Sequence, residues 1–192
     1  CEFLEGDVPV NFAKELRGRA LLWFFALCAT LGLLSGMTTA TKAASVSTVR
    51  YLDAAWNDAT KTVDFTEKTA DNYTVIASGS TAWGAGWYVV NSDVTISDRV
   101  SVTGDVHLIL CDGATLTANK GINVADGNAL NIYGQSEGTG RLTASGGSVL
   151  NWDPWYGAGI GGRDNESCGA VTIYGGTVTA NGGYIGAGIG GG

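Results

Sequence analysis

After Trp87 the apolar positions come in short alternating runs: WYVV, DVTI, RVSVT, VHLILC, ATLTA, GINV, ALNIYG, RLTA, AVTIYG and TVTA. A period of two over such short runs predicts strands with one face turned inward. The links between them are polar or glycine-bearing, such as NS, SD, GD, DG, NK and ADGN. Links this short leave no room for crossover helices, so a doubly wound α/β fold is excluded. An all-β chain remains, built either as an antiparallel sandwich or as a coil of parallel strands.

Internal repeats decide between the two. ALNIYG (Ala129 to Gly134) returns as AVTIYG (Ala170 to Gly175) at an offset of 41, LTASGG returns as VTANGG at 36, and GAGIGG (Gly157 to Gly162) returns at Gly186 to Gly191, an offset of 29. LTANKG at Leu116 to Gly121 echoes VTANGG at 62. The shrinking offset implies insertions around QSEGTG and SVLNWDPW between otherwise equivalent units. Self-similarity with insertions confined to loops predicts a β-solenoid, in which rungs stack strand upon strand. Ile160 and Ile189 are expected to be the inward residues of very short strands, one stacked on the other. Nineteen of the 30 glycines lie at or after Gly134, where they would serve the corners of the coil.

The stretch from Ser45 to Ile76 holds the alternating runs SVSTVRYL, KTVDF and YTVI but does not repeat. It predicts a non-repeating N-terminal β cap over residues 44–86, ahead of repeats over 87–192. Further upstream, Lys14, Arg17 and Arg19 precede the apolar run Ala20 to Leu34, which exits through SGMTTATKAAS. That order predicts a secretory signal peptide over 14–43, cut before Ala44, with an uncleaved N-terminal anchor as the alternative. The expected location is therefore secreted or cell-surface, with membrane contact only during export. Residues 1–13 read as an upstream or fragment edge. GIGGG at the other end stops inside a repeat, so the chain is expected to continue.

Beyond residue 43 stand 7 basic and 14 acidic side chains, which keeps the net charge of −7. That balance argues against nucleic acid and against an anionic membrane surface as partners. Cys111 and Cys168 could pair outside the cell or be buried as small apolar residues.

The stretch GWYVVNSDVTISDRVSVTGDVHLILCDGATLTANKGINV, with ALNIYGQSEGTGRLTASGG, GAGIGG and VTIYGGTVTANGG after it, resembles the repetitive β-helical, pectin-lyase-like ectodomains of secreted or wall-attached proteins of gut Gram-positive bacteria. The resemblance covers Gly86 to Gly192. It implies a right-handed parallel β-helix, surface display, and further domains beyond Gly192.

A pectin-lyase-like fold raises the question of an enzyme. Such lyases hold Ca²⁺ between acids on neighbouring rungs and abstract a proton with an arginine or lysine. Here Asp98, Asp105, Asp112 and Asp126 stand singly in turn dipeptides, where aspartate is expected to serve its own backbone. Only GGRDNES (Gly161 to Ser167) brings a base and acids together, making Arg163 and Asp164 the alternative catalytic pair. The family's arginine-proline motif is missing, since Pro154 has no arginine beside it. No cofactor or metal site is expected: His107 is the sole histidine, and GAGIGG lacks the Lys-Ser/Thr ending of a phosphate loop. The threonine pairs TLT and TVT suggest an ice-binding face, but Arg141 breaks the array between them.

The aromatics carry the remaining signal. Trp83 and Trp87 lie in AWGAGW, and Trp152, Asp153, Trp155 and Tyr156 lie in NWDPWYGAG. Loop tryptophans stack on sugar rings while neighbouring acids accept hydroxyl hydrogen bonds, so these six are the candidate ligand-binding residues. The competing reading makes the same rings a cover over the core. The expected function is a non-catalytic binding or adhesion module directed at carbohydrate or at a host or cell-wall surface. A polysaccharide lyase or hydrolase and a purely structural stalk are the alternatives.

Overall fold

The computed structural model describes residues 47–147, 157–184 and 186–192, all within the compact unit Ser45–Gly192. The expected signal segment and the NWDPWY insertion lie outside the described residues. Among those residues every element is a strand.

Strands β1 (Val49–Asn57) and β2 (Thr62–Ala70) form an antiparallel hairpin. Its turn is built locally: the Asn57 carboxamide accepts from the backbone N–H of Ala59 and Thr60, and Lys61 takes a left-handed φ of 58°. Every other strand joins one of three parallel sheets. The first holds β3 (Tyr73–Val75), β5 (Gly86–Val90), β8 (Asp105–Leu110), β11 (Ala129–Tyr133) and β14 (Ala170–Ile173). The second holds β6 (Val94–Ile96), β9 (Thr115–Ala118), β12 (Arg141–Ser145) and β15 (Thr177–Asn181). The third holds β4 (Ala82–Trp83), β7 (Val100–Val102), β10 (Ile122–Asn123), β13 (Ile160–Gly161) and β16 (Ile189–Gly190). From β5 onward the chain visits first, second and third sheet in strict rotation.

Register explains the repeats. Leu130 pairs with Val171, Leu142 with Val178, and Ile160 with Ile189, at the offsets of 41, 36 and 29 that the sequence shows. Leu116 pairs with Leu142, so the 62-residue echo joins positions two strands apart in the second sheet. Parallel in-register stacking places like on like, which is why a repeated word in the chain becomes a column in the fold.

The alternation turns one residue in two toward a shared interior. Val106, Leu108, Leu110, Leu130 and Ile132 of the first sheet meet Leu116, Ala118, Leu142 and Ala144 of the second and Val100, Ile122 and Ile160 of the third, all fully buried in one cluster. The parallel ladders begin at Tyr73, ahead of the first run of the repeats.

A second, smaller cluster lies on the outer face of the first sheet. Here Tyr51 and Ala70 of the hairpin pack against Val89, Ile109 and Tyr133. The Leu52 N–H donates to the Gly134 carbonyl at 2.9 Å, and the Gln135 amide to the Arg50 carbonyl at 2.8 Å. The non-repeating N-terminal strands thus cover the side of a sheet.

Candidate functional site

The tryptophans singled out from the sequence fall into different surroundings. Trp83 is 1% exposed, stacks on Tyr88 with centroids 5.7 Å apart, and donates its indole N–H to the Ser80 carbonyl at 2.9 Å. That ring has no face left for a sugar, and its expected ligand role is corrected to a core role. Trp87 lies between His107 at 4.5 Å and Tyr51 at 4.9 Å, so the hairpin covers most of it. For both rings the covering reading fits the packing. Trp152, Asp153, Trp155 and Tyr156 lie outside the described residues.

Acidic residues expected to serve their own turns often serve the next one instead. Asp93 accepts from the Thr115 N–H, and the Asp112 carboxylate accepts from the N–H groups of Glu137 and Thr139 and from the Thr139 hydroxyl. Asp105 takes the Asn131 amide at 2.7 Å and stands 3.3 Å from His107 Nε2. Asp126, bonded to the Gly127 N–H, behaves as the local turn former the sequence suggested. These carboxylates staple one strand layer to its neighbour across 22 to 27 residues of chain. Of the alternative catalytic pair, Arg163 is half-buried and Asp164 exposed, and the Arg163 N–H is bonded to the Glu166 carboxylate. Among the described residues no three His, Cys, Asp or Glu side chains group as metal ligands. Cys111 and Cys168 are both free and half-buried. Burial, reinforced by Asp112, holds the Cys111 thiol above its ordinary pKa.

Among the described residues lies a groove the sequence did not indicate. Beside the hairpin runs an open groove of about 370 Å³, walled by Leu52 and Phe65, floored by Tyr174, Gly175 and Gly176, and rimmed by the 134–138 turn. It exists because the hairpin overhangs the first sheet. Leu52, Ala54, Trp56, Val63 and Phe65 share the hairpin face away from Tyr51, by the alternation and register of the two strands. Phe65 is 61% exposed there. The Tyr174 ring is fixed by near-parallel stacking on Tyr133, centroids 4.7 Å apart and planes 3° apart. Tyr133 is itself packed under Tyr51 and Trp87. Burial, and after it the neighbouring Tyr174, Tyr51 and acids, raises the Tyr133 phenol above its ordinary pKa. Its oxygen lies 3.2 Å from His107 Nδ1.

Gln135 positions the rim. Its amide group donates to Arg50 while its carbonyl accepts from the Asp112 N–H at 2.9 Å, leaving Ser136 and Glu137 beside the opening. A smaller recess of about 120 Å³ continues past Leu52 and Gln135 toward Arg50 and Glu67, which are 3.7 Å apart. An aromatic floor, an apolar wall and a polar rim suit a ring with one apolar face and hydroxyls at its edge. Phe65 was missed because it sits on strand β2, and Tyr174 because it follows β14 directly, inside the repeated word AVTIYG; the legible signal was the alternation of Val63 and Phe65 on a strand whose other face is polar.

No protein-family model, no curated protein and no solved structure matches this chain.

Proposed function

We propose that the chain is a secreted, surface-displayed right-handed parallel β-helix that binds glycan without cleaving it. The coil is supported by three parallel sheets visited in rotation with every rung in register. The hand follows from the preference of parallel crossovers for right-handed connection. The observation that carries the binding role is the groove in which Phe65 and Tyr174 stand beside Ser136 and Glu137. Engagement of Asp93, Asp105 and Asp112 as staples between layers favours binding over lyase chemistry, because those carboxylates are already committed to neutral donors.

A glycan array tests the proposal with the wild-type chain, Phe65→Ala and a core control, circular dichroism confirming the fold of each. Wild type should retain a restricted set of sugars, and Phe65→Ala should lose roughly 1 to 3 kcal/mol of affinity for them with its spectrum unchanged. Absence of any bound glycan would leave the structural stalk as the better account. Release of unsaturated, ultraviolet-absorbing products from uronic-acid polymers, lost in Arg163→Ala, would instead support the lyase.

A further inference from the structure

The outer edge of β2 is open. Among the described residues β2 pairs only with β1, and every one of its 9 residues except Ala70 is exposed, so the strand stands clear of the coil. Which backbone groups face that edge follows from the hairpin's own register. Residues directly opposite each other in an antiparallel pair alternate between exchanging hydrogen bonds and turning them outward. Leu52 sends its N–H out to the Gly134 carbonyl, and Arg50 offers its carbonyl to the Gln135 amide, so the pairs Leu52–Glu67 and Arg50–Thr69 are of the outward kind. Ala54–Phe65 and Trp56–Val63 follow at the same period. Val63, Phe65, Glu67 and Thr69 therefore present N–H and carbonyl groups along the free edge, a template for a further strand.

The charges of β2 select which strand. TVDFTEKTA is self-complementary about its central residue, Thr66. With a two-fold axis at Thr66, an antiparallel copy sets Val63 opposite the copy's Thr69 and Phe65 opposite the copy's Glu67, all of them edge-facing residues. On the other face Asp64 meets the copy's Lys68, and symmetry repeats the pair. An axis at Asp64, Glu67 or Lys68 sets a charge against its own like, and one at Phe65 leaves Asp64 and Lys68 facing threonines. Lys68 already holds Asp53, and Asp64 takes the Asn57 carboxamide at 2.7 Å, so both side chains are steadied on the exposed surface. In the pair, Lys68 lies between two carboxylates, those of Asp53 and the copy's Asp64. Phe65 and its copy take diagonal positions, within reach of aromatic rings, on the face that also bears the exposed Trp56 and Val63.

We propose that β2 is a self-recognition edge: two copies of this chain join by antiparallel pairing of β2 about a two-fold axis at Thr66, merging their hairpins into one continuous sheet. Such an interface is isologous and closes on itself, so it makes a dimer and not a fibre. It rests neither on the glycan-directed reading nor on the far end of the coil, since it uses no atom of β14, β15 or β16.

Cysteine cross-linking and sedimentation of the intact chain test the pairing. On the axis, Thr66 faces its copy with Cα atoms about 4.5 Å apart, inside the span of a disulfide. Under mild oxidation Thr66→Cys should give a linked dimer well above the wild-type background. Asp64→Cys should not, because it lies beyond the roughly 7 Å limit from its own copy. Glu67→Pro removes an edge-facing N–H without touching the β1 ladder, and Asp64→Lys makes both charge pairs between copies repulsive. Each should raise the dimer dissociation constant by about tenfold or more. Asp64→Lys alters an exposed side chain and decides the matter if circular dichroism shows the proline variant poorly folded; association through β14 to β16 would persist in both. No linked dimer above background from Thr66→Cys, or equal linking of Asp64→Cys, would overturn the register. A wild-type chain that stays monomeric, or a dissociation constant unchanged by Asp64→Lys, would overturn the edge.

Discussion

At the residue scale, the aspartates and the buried Arg99 have roles that their sequence context hides. Asp112 reads as an ordinary turn dipeptide, Asp-Gly, yet its carboxylate gathers two backbone N–H groups and a hydroxyl from the following layer. Asp112→Ala should therefore cost roughly 1 to 3 kcal/mol in denaturant unfolding, more than an exposed acid such as Asp71, whose removal should stay within about 0.5 kcal/mol. Tyr133 gives a pH test. Its phenol titrates above the ordinary tyrosine value because the fold buries it, so the unfolded chain loses that proton first. The stability it contributes is complete below about pH 10 and erodes as pH rises beyond it, and a Tyr133→Phe variant should show a shallower alkaline decline. Arg99 was invisible in the sequence for a physical reason: its acceptors lie 21 to 63 residues away, on main-chain atoms that carry no side-chain signature.

At the scale of elements, the strands and their inward rows were legible because alternation survives in every run, and because Ile160 and Ile189 stand alone among small residues. Ile160 is fully buried and pairs with Ile189. The place of the hairpin was not legible. Its docking depends on one aromatic, Tyr51, reaching Trp87 and Tyr133, and nothing in SVSTVRYL states which sheet will receive that ring. Tyr51→Ala should release the hairpin, seen as faster amide exchange over residues 49–70 while β8 and β11 stay protected. Glycine requirements separate just as sharply. Gly161 has φ of 135°, and a Cβ there would collide with the Gly190 carbonyl oxygen, whereas one at Gly79 meets nothing within 4 Å. Gly161→Ala should lose roughly 2 to 3 kcal/mol in thermal unfolding, and Gly79→Ala should change stability by less than about 0.5 kcal/mol.

At the scale of the whole molecule, the repeat offsets could be read as register because every rung stacks parallel on its neighbour; an antiparallel sandwich would have scrambled that correspondence. The groove beside the hairpin could not be read, since it joins Phe65 to Tyr174 through a fold that first has to form. In the described residues the three sheets end on β14, β15 and β16, each with one edge unpaired, and Ile173 and Ile189 are both 44% exposed there. Unpaired parallel edges beside exposed apolar residues favour association. Light scattering on residues 44–192 should show mass rising with concentration, and a monomer at all concentrations would count against those edges being adhesive.

Chemical-shift mapping of the folded chain with a sugar selected on the array tests glycan binding most directly. Shifts should centre on Leu52, Phe65, the 134–138 turn and Tyr174 to Gly176, saturate together, and vanish in Phe65→Ala. Shifts centred elsewhere, or none at saturating sugar, would contradict a glycan site at the hairpin groove.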